Sequence, residues 1–141
     1  MAALVYDKDN VRTVSAESHE QSNGVLGETV EAGQSISQLT SDNKWYLTDG
    51  ITGTGPATPF QAVALQNGIL DQNIALQTGG TIYLGVDTDE GMIYVVSQTP
   101  GGIENAVEAL AVSSLNVDMI GYGDDLGNLV IKKVSTGYVI Y

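Results

Sequence analysis

Chemistry in this chain has few side chains to rest on. There is no cysteine and one histidine, His19, set between Ser18 and Glu20. Without cysteine, thiolate catalysis and cysteine-based zinc sites are excluded. A histidine serves as a general base when it is held against a nucleophile and oriented by an acid. His19 lies in the polar run VRTVSAESHEQSNG, which has little to hold it rigidly. Neighbouring acids occur at Asp87/Asp89 and Asp124/Asp125. A glycosidase pair needs two carboxyls converging across a cleft, whereas these sit side by side in turn sequences and read as solvated. Asp87-Thr88-Asp89-Glu90-Gly91 offers hard oxygens of the kind calcium takes. An EF-hand loop counted from Asp87 would need glycine sixth and glutamate twelfth, but the glycine comes fifth, as Gly91, and the twelfth residue is Gln98. A looser calcium site near Asp87 and Asp89 stays open. TGTGP lacks the Lys-Ser/Thr of a Walker loop. Pro100-Gly101-Gly102 ends an apolar run, and Glu104 follows it. A carboxylate on a first helical turn would occupy the positive helix end itself, so this glycine pair reads as a strand-to-helix turn. No catalytic, cofactor-binding or metal-ligating residue is assigned, and the chain is expected not to be an enzyme.

Charge narrows the partners. Five basic residues face seventeen acidic ones, a net charge of −12, and between Lys44 and Lys132 ten carboxylates occur with no Lys or Arg. Nucleic-acid binding draws on cations along the phosphate track, and anionic membrane surfaces make the same demand. Neither partner is expected. No apolar run approaches the roughly 20 residues that span a bilayer, and the apolar patch in MAALVYDKDN is too short for a signal segment. With 141 residues the chain suits one domain. Area scaling buries about two thirds of its extended surface, so a core forms without staples.

The elements that would position any site read as short strands. Turn signals recur at Ser41-Asp42-Asn43, Asn67-Gly68, Gly79-Gly80, Asp87–Gly91 and Gly123-Asp124-Asp125. Between them lie KWYLTD, Phe60–Leu65, Asn73–Gln77, TIYLGV, MIYVV, NVDMIGYG, GNLVIKKV and a last strand in TGYVIY, while Asp49–Pro59 is a loop. The expected fold is mainly β: a small sandwich or barrel-like antiparallel domain over residues 25–141. Glu104–Leu115 breaks the pattern, with Val107, Leu110, Ala111 and Ser114 at helical spacing and Asn105 as a cap. One short helix is expected there, at about 104–113. Residues 1–24 carry little to bury. They read either as an extended N-terminal arm or, over Val11–Ser15, as a first edge strand. A weak internal echo pairs Gln34 with Gln72 and Tyr46 with Tyr83, and GMIYVV repeats its strand part. It fits an old duplication or the general look of hairpin proteins.

In this order the stretches resemble the head decoration, or capsid cement, proteins of tailed bacteriophages. The residues that carry the resemblance are Gly33-Gln34, Trp45-Tyr46-Leu47, Ala64-Leu65 with Asn67-Gly68 and Gln72, and above all Gly91 through Ile103. It covers roughly residues 28–133. The resemblance implies a structural virion protein on the outer capsid surface, without catalysis or cofactor. It also implies a homo-oligomer, a trimer being favoured, and the major capsid protein as partner. The segment before Gly24 and the tail STGYVIY fall outside it, so how such a protein would grip its shell is not carried over. An arm gripping through Leu4, Val5, Tyr6, Lys8 and Arg12 is one expectation, and then deletion of residues 1–24 would weaken binding and leave the body folded. Plain disorder of Leu4–Tyr6, or its packing on the chain's own body, is the other. Two further readings stay open: a tail or baseplate β-module, and a host-surface adhesin stacking glycans on Trp45, Tyr46, Tyr83 and Tyr94, residues that also suit core and cross-strand pairs.

Overall fold

The structure, a computed structural model, describes residues 6–39, 42–48, 60–97, 101–105 and 115–140, with side chains of the last run described over 119–132. It is a two-sheet, mainly β, antiparallel fold. The strands are β1 Val11–Ser15, β2 Gln21–Val25, β3 Ser35–Gln38, β4 Trp45–Leu47, β5 Ala62–Ala64, β6 Asn73–Gln77, β7 Gly80–Leu84, β8 Ile93–Val96, β9 Ile103–Asn105, β10 Leu115–Gly123 and β11 Leu129–Ile140. A six-stranded sheet runs β1-β7-β11-β10-β8-β9 and a five-stranded sheet runs β2-β6-β5-β3-β4. The strands expected at Trp45, Phe60–Leu65, Asn73, Thr81, Met92 and on both sides of Gly123 all form.

The five-stranded sheet closes on itself. Leu26 bridges Trp45 in parallel, and the Gly27 N–H donates to the Trp45 carbonyl at 2.9 Å. Inside this closure lie Leu26, Val30, Ile36, Trp45, Ala62, Ala64, Ile74 and Leu76. Alternation along β5 is the reason two cores can share one strand. Ala62 and Ala64 point into the closed sheet, while Val63 points the other way, into a second cluster with Ile82, Leu84, Tyr94, Val96, Leu129 and Ile131 of the six-stranded sheet. All three β5 residues are fully buried.

Residues 11–25 do not stand apart as an arm. Val11–Ser15 pairs with β7, and Gln21–Val25 pairs with β6, so the segment edges both sheets in turn. The edge-strand alternative for Val11–Ser15 is therefore the one observed. A short 3-10 turn, Ser18–Glu20, carries the chain from one sheet to the other. A later length of the same chain makes the reverse crossing alongside, from β6 to β7, with the Thr78 N–H donating to the Glu20 carbonyl at 2.7 Å. Gln77 is fully buried at this corner. Its Oε1 accepts from Thr13 Oγ1 at 2.8 Å, and its Nε2 donates to the carbonyls of Gly79 at 2.7 Å and Thr81 at 3.2 Å.

The expected helix is corrected at its start. Glu104 and Asn105 belong to β9, paired with Val95 and Tyr94. Strand pairing satisfies their backbone groups, and this tertiary contact overrides a local spacing that suited a helix. Residues 106–113 of that expectation lie outside the described residues, as do the loop 49–59 and residues Leu4 and Val5. No helix among the described residues is long and apolar enough to cross a membrane.

The internal echo does not hold as repeated hairpins, since β6 and β7 of its second unit lie in different sheets and do not pair; a different likeness joins two other hairpins. Hairpins β3–β4 and β8–β9 share one pairing pattern at their described residues, each matched pair 58 positions apart. Ile36 pairs with Leu47 as Tyr94 pairs with Asn105. The loops are closed alike, by Leu39 N–H to the Lys44 carbonyl at 3.0 Å and Ser97 N–H to the Gly102 carbonyl at 3.2 Å. Left-handed residues fall at matched places, Gly33 (φ 92°) with Gly91 (φ 74°) and Asn43 (φ 60°) with Gly101 (φ 75°). Gln34 and Gln72, paired in the sequence echo, do share one device. Each side-chain Oε1 accepts from the backbone N–H three residues earlier, Glu31 at 2.8 Å and Ile69 at 3.1 Å, closing the turn that feeds a strand.

Two stability outcomes follow from the corner. Gln77→Ala leaves a cavity and unpaired polar groups among buried neighbours, and should lower unfolding free energy by about 2–4 kcal/mol in a denaturant titration. Deletion of residues 1–24 removes β1 and almost all of β2, and should abolish cooperative thermal unfolding. A truncated chain that still melts in one sharp transition would contradict this account of the corner.

Candidate binding surface

Tyr6 and Lys8 are held on the body by one carboxylate. Tyr6 packs against the six-stranded-sheet cluster, and its hydroxyl donates to Glu31 Oε1 at 2.5 Å. Lys8 Nζ donates to Glu31 Oε2 at 3.4 Å. Burial first, then the hydrogen bond and charge of Glu31, pushes the Tyr6 phenol well above its ordinary value. The Tyr6 hydrogen bond, followed by that of Lys8, holds the Glu31 carboxyl below its ordinary 4.5. For Tyr6, own-body packing is thus what the structure shows. Beside the pair runs an open groove of about 290 Å³, lined by Lys8, Glu31, Asn67, Ile69 and Gln72 among others. Its amides are engaged in the fold: Asn67 Oδ1 accepts from the Ala32 N–H at 2.9 Å, and Gln72 Oε1 closes its own turn.

Arg12 sits differently. Its guanidinium lies over the Tyr83 ring, 4.5 Å from the centroid, where β1 and β7 bring the two residues opposite each other. Among the described residues, Lys8 pairs with Glu31 and Lys44 with Asp71. Arg12 and the exposed Lys132 have no carboxylate partner in that set.

No protein-family model and no curated protein matches this chain. What it binds is therefore argued from its own surface.

The acidic turns are built as turns. Asp124 Oδ1 accepts from the N–H groups of Leu126 at 2.9 Å and Asn128 at 2.8 Å, and the Asn128 bond in particular holds its carboxyl below the ordinary range. Thr88, between Asp87 and Asp89, is buried and donates to the Asn128 carbonyl at 2.6 Å, while Asp87, Asp89 and Glu90 face solvent. Among the described residues, no three acidic or histidine side chains gather closely enough to hold a metal ion. His19 is exposed on the 3-10 turn. The four aromatics do not form one platform. Trp45 and Tyr94 are buried in different clusters, Tyr83 lies under Arg12, and Tyr46 donates to Asp42 Oδ2 at 2.6 Å.

The glycine pair is explained by packing. Gly101 takes φ 75° in the β8–β9 loop, and its N–H donates to the Thr48 carbonyl at 2.7 Å while its own carbonyl accepts from the Ser35 N–H at 2.8 Å. A Cβ there would come within 2.6 Å of Leu47. So the loop tip of one hairpin docks on its counterpart, and Ser35 Oγ contacts Thr48 Oγ1 within the joint. Two further features had no clear signal in the sequence. Glu104 is buried, with Oε1 accepting from Ser97 Oγ at 2.8 Å and Oε2 unpartnered. Exposed apolar side chains stand at Ile93 and Tyr122, opposite each other on β8 and β10, and at Leu126 in the following turn.

The Tyr6–Glu31 bond sets a pH dependence. Glu31 has a depressed folded value, so its contribution to stability is present at neutral pH and is lost as pH falls through the folded value, below 4.5. Tyr6→Phe should raise the Glu31 carboxyl back toward that ordinary value in an NMR titration. It should also lower the melting temperature at pH 7 while leaving the two proteins nearly equal near pH ~2. An unchanged Glu31 titration in Tyr6→Phe would show that the bond does not form in solution.

Proposed function

We propose that this chain is a head decoration protein of a tailed bacteriophage, a non-enzymatic virion component that binds the outer capsid surface and bridges major capsid subunits. The observation that carries this reading is the run Gly91 through Ile103. It is the most specific part of the resemblance, and it builds the hairpin β8–β9 whose glycines join the two sheets. A small acidic double-sheet body with its turns tied by side-chain caps supports a rigid bridging role. A net charge of −12 also keeps many copies soluble while they crowd a shell.

The mechanism is mechanical. The proposed unit is a trimer seated where capsid subunits meet. Each protomer makes a modest contact, and the three act together through their effective concentration. Preference for the mature shell over its dissociated subunits stabilises the shell by mass action. Tyr6 and Lys8 fasten the N-terminal segment to the body, so the proposed shell-contact role moves from them to the residues before the fastening, Leu4 and Val5, and to Arg12.

The test is co-sedimentation of the purified chain with shells assembled from the major capsid protein encoded alongside it. Saturable pelleting at a fixed small ratio per capsid subunit, with a raised shell melting temperature, is the expected result. Failure to pellet at micromolar concentration, with the chain shown to be folded, would overturn the reading.

A further inference from the structure

We infer that the outer face of the six-stranded sheet is the seating face. It takes a protein surface that is apolar at its centre and bears carboxylates opposite Arg12 and Lys132. This deepens the decoration reading and rests on it.

Strand alternation decides which side chains line the face. Ile82, Leu84, Leu129, Ile131 and Tyr94 point inward to the core cluster. Their neighbours therefore point outward: Arg12 on β1, Thr81 and Tyr83 on β7, Val130 and Lys132 on β11, Tyr122 on β10 and Ile93 on β8. The register lines up Ile93, Tyr122, Val130 and Thr81 across four adjacent strands. Ile93 is 44% exposed and Tyr122 37% exposed. A β-branched aliphatic and a tyrosine presented in one row are the composition of an interface centre rather than of an ordinary solvated sheet face.

Charge then selects the kind of partner. The chain carries seventeen acidic residues, yet among the described strand residues that point out of this face none is an exposed carboxylate. Val95 and Glu104 also point that way but are 3% and 2% exposed, so the seating area is the β1-β7-β11-β10 part of the face with Ile93, and the rest of β8 and β9 lies outside it. The acids gather beyond the strand ends, in the turns at Asp87–Glu90 and Asp124-Asp125. The two described cations without an in-chain carboxylate, Arg12 and Lys132, are both on this face. Arg12 is also pre-positioned, because stacking on Tyr83 holds its planar fork at little further entropic cost. An arginine fork and an ammonium that have no carboxylate partner among the described residues, flanking an apolar row, are complementary to carboxylates flanking an apolar patch. The same face on a second copy is a poor match for a two-fold contact, since it would bring the cations of the two copies toward one another.

The test compares full-length variants by shell co-sedimentation, with each variant's melting temperature checked against wild type. Arg12→Glu with Lys132→Glu, and separately Ile93→Ser with Tyr122→Ser, should each weaken binding by roughly tenfold or more. The charge pair should also flatten the salt dependence of binding. Ile69→Ser with Leu70→Ser, a more exposed apolar pair on a turn outside the face, should bind as wild type. Wild-type pelleting with undiminished binding by both face variants would overturn the seating face and leave the decoration reading standing. No pelleting by wild type would overturn the decoration reading, and the seating face with it. If analytical ultracentrifugation shows an oligomer that both face variants dissociate, the face belongs to a second copy, and the inference is overturned in that way.

Discussion

The buried amide of Gln77 is the point from which both sheets hang. Two lengths of chain cross side by side, in opposite directions, between the closed five-stranded sheet and the six-stranded one. At such a crossing the ladder hydrogen bonds are interrupted, and buried backbone groups need other partners. Gln77 supplies them. Its amide accepts from Thr13 and donates to Gly79 and Thr81, so a single side chain ties β1 to both ends of the β6–β7 corner. A leucine of similar volume would fill the space and leave those carbonyls dry. Next to this corner, β5 has no face for solvent at all: two alanines fit the narrow interior of the closed sheet, and Val63 reaches the other cluster. The pairing of a satisfied polar corner with a doubly buried strand makes two sheets one body.

Much of this was legible from the residues, and the limits are physical. Strands with apolar alternation and turn chemistry at their ends announced themselves at Trp45, Asn73, Thr81 and Met92. Val11–Ser15 did not separate cleanly from an arm, because an edge strand with solvent on one side and the Gln77 corner on the other has few apolar residues to show. Glu104 and Asn105 misled because a helical spacing in the residues after them says nothing about a partner strand before them. Val95 and Tyr94, which decide the matter for Glu104 and Asn105, are about ten residues upstream. The likeness of the β3–β4 and β8–β9 hairpins was not visible in the sequence echo. Their likeness lies in backbone signs and hydrogen-bond closure, with Asn43 in one hairpin doing what Gly101 does in the other, and of the matched left-handed residues only Gly33 and Gly91 share a residue type.

The surface was less legible than the core. Arg12 and Lys132 are 120 positions apart in the chain, and only the β1-β7-β11 order places them on one face. Tyr6 and Lys8, which suggested a free gripping segment, are instead held by Glu31, a residue no local pattern connects to them. The acidic turns were visible as acids, and what fixed their meaning was geometry: Asp124 spends its carboxylate on the N–H groups of its own loop.

How the edges are finished bears on why a face rather than an edge should meet a partner. An open edge strand invites pairing with any extended chain, and natural sheets blunt it with charge, bulges or closure. β1 carries Arg12 and a register break between Thr13 and Ser15, the device of a bulge that spoils continuous pairing. β2 shows solvent Gln21, Ser22 and Asn23, while β4 is closed by residues 26 and 27. With its backbone edges blunted in these three places, the chain offers a partner side chains more readily than hydrogen-bonding backbone. Contact through side chains is adjustable one residue at a time without disturbing the strand registers that hold Gln77 in place. The bridging role proposed for this chain would draw on that separation, because a grip could then change with the shell while the fold does not.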